Sequence, residues 1–231
     1  MELYNFKAES KKYFPEIEIE QAYKNFVPDE FKKDPIGYFK LKGKNIKSGE
    51  IKRDKTGRVR EDPTAVRELP IWFDANGNEL KTIGKRVDIR KGKIRESANP
   101  FYEYQIMELI NDIGLPASKP IAKVEQAGNY LIVMEKVQGT SWYEKNNLLL
   151  KENGYTDEEI RNLEKQAEEK MAQLRAEFEE AGVKRSWKLK DMIFDIDIEN
   201  KTIRKIIPVD WERTEIEADK LNAYRKNKLE Q

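Results

Sequence analysis

The 231-residue chain contains no cysteine and no histidine. The first absence excludes disulfides, thiolate catalysis and cysteine-based zinc sites. The second removes the commonest general base, the Ser-His-Asp and Cys-His arrangements, and imidazole metal sites. Carboxylates, lysines and hydroxyls are left to carry any chemistry, and any metal would be a hard, oxygen-bound ion such as magnesium. The chain also lacks an excess of either charge, since 44 basic residues nearly cancel 43 acidic ones. A whole-chain electrostatic case for binding nucleic acid or an anionic membrane therefore fails. No apolar run approaches the roughly 20 residues that span a bilayer, and the start Met1-Glu-Leu-Tyr4 has no signal-peptide pattern. The expectation is a cytoplasmic, intracellular protein, with delivery to another cell by a route unmarked in the sequence left open.

What is present is patterned for a mixed fold. Ile17, Ile19, Ala22, Tyr23 and Phe26 lie loosely at helical spacing and Pro28 stops them, so residues 1–36 read as an N-terminal helical extension. Gly37 to Leu41 is a strand candidate, and Lys42 to Pro63 reads as a long hairpin or loop. Ala65–Asp74 and Glu79–Ile89 read as strands joined by a turn whose Asn76-Gly77 pair favours positive φ, with Pro70 marking an edge or a bulge. Asn99-Pro100 opens a helix whose apolar face is Tyr102, Ile106, Leu109, Ile110 and Ile113, and Gly114 ends it. Strands follow at Ile121–Glu125 and Tyr130–Val137, and Gly139 breaks the second. Thr156-Asp-Glu-Glu159 is a capping box for a long helix with Ile160, Leu163, Ala167, Met171, Leu174 and Phe178 on one face. The strands Met192–Ile198 and Thr202–Val209 then lead into Asp210-Trp-Glu-Arg213, a carboxylate at a strand mouth, before a last helix from about Glu215.

This order resembles the protein-kinase-like superfamily, particularly its small-molecule kinase and aminoglycoside-phosphotransferase-like branch, in which Asp-Trp-Glu often stands for the metal-binding Asp-Phe-Gly. The resemblance covers roughly residues 65–213. It implies an α+β, two-lobed fold: an N-lobe of antiparallel sheet plus helix over 37–138, and a minimal helical C-lobe over 139–231. Thr82-Ile-Gly-Lys85 stands where the family has Val-Ala-Ile-Lys, so Lys85 would contact nucleotide phosphates and Glu103 would pair with it. Glu135 and Val137 would lie in the interlobe hinge, where backbone groups hold the adenine. Asp191 and Asp210 would bind magnesium, and Lys188 would meet a transferring phosphate. The implied cofactors are ATP and Mg2+, and the implied partners are a nucleotide and an unidentified small-molecule or protein acceptor.

The sequence departs from the family in three places. Aligning Asp191-Met-Ile with the family's Asn-Ile-Leu puts Ser186 where the catalytic Asp belongs. Gly43, Gly49 and Gly57 are scattered, with no G-x-G-x-x-G loop to cradle phosphates. Only 18 residues follow Arg213, too few for a full activation segment and substrate-binding helices. The expectation is therefore an atypical kinase-like protein with weak or no phosphotransfer. The alternatives are an inactive binding or regulatory module, or a structural or interaction protein of a phage or mobile element. Read without the resemblance, Lys85 is an exposed strand lysine and Glu103 a first-turn acid favourable to the helix dipole.

Overall fold

The computed structural model describes residues 14–46, 66–87, 99–141, 150–211 and 213–229. Most of the expected loop from Lys42 to Pro63, and Glu212, lie outside them. The fold is α+β. Six strands form one antiparallel sheet in the order β1 (Glu16–Ile19), β7 (Pro120–Gln126), β8 (Asn129–Glu135), β6 (Thr82–Val87), β3 (Val66–Glu68), β2 (Lys44–Asn45). The β7–β8 turn places both Ala127 (φ 51°) and Gly128 (φ 69°) in the left-handed region, as a tight two-residue hairpin requires. Helix α3 (Tyr102–Asp112) packs under this sheet.

Two apolar cores lie on opposite faces of the sheet. One joins Ile121, Val124, Leu131 and Val133 to Phe31 of α1 (Asp29–Lys33), Phe39 of α2 (Pro35–Lys42) and Trp72 of β4 (Trp72–Phe73). The other runs from Ile132 and Met134 through α3 to the second lobe. There helix α4 (Asp157–Glu180) buries Ile160, Leu163, Ala167, Leu174 and Phe178, with Met171 half-buried. They pack with residues of the hairpin β11 (Met192–Asp197) and β12 (Thr202–Pro208) and with Leu221 of α5 (Ala218–Leu229). The capping box of α4 is formed: Glu159 N–H donates to Thr156 Oγ1 at 3.2 Å, and Thr156 N–H to Glu159 Oε2 at 2.8 Å. Such a cap contributes about 1 kcal/mol.

Four local expectations give way to tertiary context. Residues 16–19 are a strand, followed by a 3-10 turn at Gln21–Tyr23, where a helical pattern was read. Ile17 and Ile19 are two apart, and the free edge of β7 accepts that period-two face, with Ile17 opposite Val124 and Ile19 opposite Ala122. Gly37–Leu41 is helical because Asp34 caps α2, its carboxylate accepting the Gly37 N–H at 3.1 Å, with Pro35 at the first position. The strand expected over 65–74 breaks at Leu69-Pro70: β3 pairs β6, whereas β4 leaves to form a separate ribbon with β5 (Glu79–Leu80). The last helix begins later than expected, because Glu215–Ile216 forms a strand, β13, against Val183–Lys184, β10. The short β9 (Thr140–Ser141) completes a three-stranded sheet with β11 and β12.

Two glycines mark close backbone approaches. A Cβ on Gly84 would sit 2.7 Å from the Phe39 ring, so the residue before Lys85 must be small for α2 to lie on the sheet. Gly139 has φ 123°, and a Cβ there would meet the Phe194 carbonyl oxygen at 2.4 Å. It lets the chain cross from β8 onto β11 at the junction of the lobes.

Candidate functional site

Side chains alternate across β6, which gives its two faces different tasks. Gly84 faces Phe39 and the outer core, whereas Ile83 and Val87 pack on the core containing α3. Lys85 shares this inner face. Its Nζ lies 2.6 Å from Glu103 Oε2 and 3.4 Å from Asp210 Oδ1, with the lysine and glutamate side chains only 11% and 8% exposed. Glu103 also accepts the Trp211 N–H at 3.2 Å, so one carboxylate ties β6, α3 and the segment after β12 together. Asp210 is 53% exposed and holds φ 65°. Positive φ is uncommon outside glycine, and aspartate is among the residues that tolerate it best. Tyr102 adds a second tie, its hydroxyl donating to the Thr214 carbonyl at 2.5 Å.

The opposite wall is the loop from β10 to β11. Lys184 is ion-paired with Glu217. Arg185 lies inward: its guanidinium stacks 4.3 Å from the Trp211 ring centroid, and Nη2 donates to the Val209 carbonyl at 2.8 Å. Burial pulls its pKa down to about 10, while Asp191, Asp210 and Glu103 act to raise it. Ser186 and Lys188 are exposed. The Lys188 carbonyl accepts the Asp191 N–H at 2.8 Å in a 3-10 turn, and the Asp191 carbonyl accepts the Val209 N–H at 2.9 Å, which sets Asp191 beside the strand end leading to Asp210. Beneath the loop, Phe178 stacks on Trp211 at 5.9 Å and meets Trp187 edge-on at 5.4 Å.

At the far end of β8, Glu135 lies opposite Thr82 and so projects from the outer sheet face. Its carboxylate accepts the Tyr23 hydroxyl at 2.6 Å, and its N–H donates to the Lys119 carbonyl at 2.9 Å. Burial and that carboxylate push the Tyr23 pKa up. Lys136 reaches back to Glu68 on β3, Nζ to Oε1 at 2.7 Å. Val137 is half-buried.

Lys85, Glu103 and Asp210 thus meet from three separate stretches, the Asp191 backbone lies beside the strand end that leads to Asp210, and Arg185 stacks on the neighbouring Trp211. Lys188 stays at the rim, and Glu135 and Val137 border the sheet where it passes into the second lobe. Among the described residues no three acidic groups form a ready-made metal cage. Were magnesium bound with phosphates and water filling most of its shell, Asp191 and Asp210 would be the carboxylates to supply its protein oxygens. Arg185 was not singled out from the sequence, although it lies between Lys184 and Ser186, which the family resemblance sets at the family's His and Asp, and no local signal links Glu68 to Lys136 or Tyr23 to Glu135. A separate groove of about 770 Å³, lined by Glu20, Tyr23, Glu108, Asp112 and Lys119, contains none of these cleft residues. No helix among the described residues is long and apolar enough to cross a membrane.

No family model matches the chain, and no curated protein matches it significantly. Among solved structures, one titled "WaaP in complex with acyl carrier protein" aligns with a TM-score of 0.49 and 14% identity, over 93% of this chain and 78% of that one.

Proposed function

We propose that the protein is an atypical kinase-like protein that binds a nucleoside triphosphate and magnesium between residues 37–138 and 139–231, and transfers phosphate slowly or not at all. The observation that carries this reading is Lys85, held 2.6 Å from Glu103 and 3.4 Å from a left-handed Asp210. A strand lysine fixed by a helix glutamate, beside a metal-binding aspartate, is the arrangement with which kinases orient nucleotide phosphates.

In this reading Lys85 orients phosphate oxygens and Glu103 fixes Lys85. Asp191 and Asp210 hold magnesium, which would neutralise charge on the phosphates. Glu135 and Val137 offer backbone groups to the base, and Lys188 lies at the edge where a transferring phosphate would leave. The chain supplies no carboxylate at position 186 to take the acceptor's proton. That favours a second reading, a pseudokinase whose nucleotide stabilises a binding or regulatory surface.

Thermal unfolding with ATP and with GTP, each with and without magnesium, tests the reading. Magnesium nucleotide at a hundredfold excess over Kd should stabilise the fold by about 2.7 kcal/mol. Omitting magnesium should remove most of the shift, and Lys85→Met should abolish it. No shift with either magnesium nucleotide would overturn the reading and leave an interaction protein.

A further inference from the structure

The N-terminal strand meets helix α3 through a pair of carboxyl groups. Glu20, the residue after β1, accepts the Tyr104 hydroxyl at 2.7 Å. Tyr104 and Glu108 are four residues apart on α3 and so share one face of that helix. Glu20 and Glu108 line the same groove of about 770 Å³, and both are half-buried. The Glu108 carboxyl lies within hydrogen-bond reach of Glu20. Two carboxyl groups can hydrogen-bond to each other only if one of them keeps its proton.

We propose that Glu20 and Glu108 share a proton that clamps the N-terminal strand to α3, and that loss of this proton as pH rises loosens the strand. The proton sits on Glu108. Glu20 is engaged as an acceptor by Tyr104, which favours its charged form. Burial, the hydrogen bond to Glu20 and the charge on Glu20 all push the Glu108 pKa up. Lys123 on β7 opposes the rise, but it is engaged by Glu18 at 2.8 Å. Asp112, one turn further along α3, adds to the rise, with Arg225 no nearer to it than 4.0 Å. Lys119 and Tyr23 line the groove as well, and the Tyr23 hydroxyl goes to Glu135 and to neither carboxyl of the pair.

The native state holds this proton more tightly than the unfolded chain does. The clamp therefore contributes fully at and below the ordinary glutamate range, and its contribution is lost as pH rises through the raised Glu108 value. Salt-bridged carboxylates elsewhere, Asp157 and Glu217 among them, are held low and give the opposite slope. The clamp shows in the difference between the parent and a variant. Its reach is wider than the strand, because α3 also presents Glu103, the residue before Tyr104, to Lys85.

The test is urea unfolding of the whole protein from about pH 4 to about pH 8, comparing the parent with Glu108→Gln. The amide that this substitution introduces donates to Glu20 without drawing a proton from solution. A proton held only by the native state changes the unfolding constant by up to about tenfold per pH unit, so the parent's constant should rise against the variant's by that factor above the ordinary glutamate range. Native-state hydrogen exchange at the Glu20 amide, which donates to the Ile121 carbonyl at 2.9 Å, locates the effect. Corrected for the intrinsic rate, its protection should fall with pH in the parent and stay level in Glu108→Gln. A parent-to-variant ratio that does not change with pH would overturn the shared proton. A ratio that changes while protection of the Glu20 amide does not would overturn the clamp on the strand. Should Glu108→Gln fail to fold, Glu20→Gln, which leaves an oxygen to accept the Tyr104 hydroxyl, takes its place with the same expected and overturning results.

Discussion

On the sheet side of the cleft, Lys85 is 11% exposed and touches two carboxylates, and its partner Glu103 is anchored again by the Trp211 N–H. On the loop side, Ser186 and Lys188 face solvent, and the buried group is an arginine that stacks on a tryptophan. The first wall is a largely buried lysine held between two carboxylates. The second carries Asp191, and Ser186 stands in it where the family resemblance implies a catalytic carboxylate. Under the proposed nucleotide reading, holding a phosphate and activating an acceptor are separable tasks, and the two walls would divide them: the first would bind, and the second would lack the group for the chemistry.

The comparison breaks most severely if the loop wall loses its support. Phe178 is fully buried between Trp187 and Trp211, and Trp211 in turn carries Arg185. Phe178→Ala should cost about 3–5 kcal/mol in urea unfolding. A cost below about 1 kcal/mol would mean that this wall collapses onto the gap and is not rigidly framed.

The sheet wall is probed by Glu103→Gln, which removes the charge while leaving an oxygen to accept the Trp211 N–H. The 2.6 Å contact to Lys85 Nζ then loses its charge, while Asp210, 3.4 Å away and half exposed, stays beside the lysine. Stability should fall by about 1–3 kcal/mol, the range for a buried polar group left short of a partner. Magnesium nucleotide affinity, read by calorimetry, should fall by about tenfold or more, as for truncating one member of a buried charge pair. If affinity is untouched, Lys85 is not oriented by Glu103 and the division between the walls loses its basis.

What could be read from the chain follows how local each signal is. The capping box at Thr156 and the strand, helix and hairpin order were legible because short stretches encode them. Lys85 and Glu103 could be paired in advance only through the family resemblance, since the residues alone read as an exposed strand lysine and a first-turn acid. The strand at 16–19 was not legible: Ile17 and Ile19 fit period two, Tyr23 and Phe26 prolong a helix-like spacing, and only the open edge of β7 decides. The same limit hid Glu68–Lys136, a contact across 68 residues that exists only once β3, β6 and β8 are in register.

The smallest expected effect concerns Ser186, and it sharpens the comparison most. A serine hydroxyl is a poor proton acceptor near neutral pH, and this one is exposed, with no neighbouring imidazole to activate it. A positioned general base typically contributes a factor of about 10²–10⁴, so a chain without one has already forfeited that factor. Phosphoryl transfer relies chiefly on positioning and electrostatic stabilisation, so slow turnover can persist on Lys85, Asp191 and Asp210 alone. Ser186→Ala should therefore leave any nucleotide turnover within about twofold of the parent, since no base is lost. Asp210→Asn, which removes one of the two proposed metal carboxylates, should abolish it. Both are read from phosphate release at saturating magnesium nucleotide. Robust turnover that collapses in Ser186→Ala would show that the loop wall does carry the chemistry, and that the two walls are not divided as described.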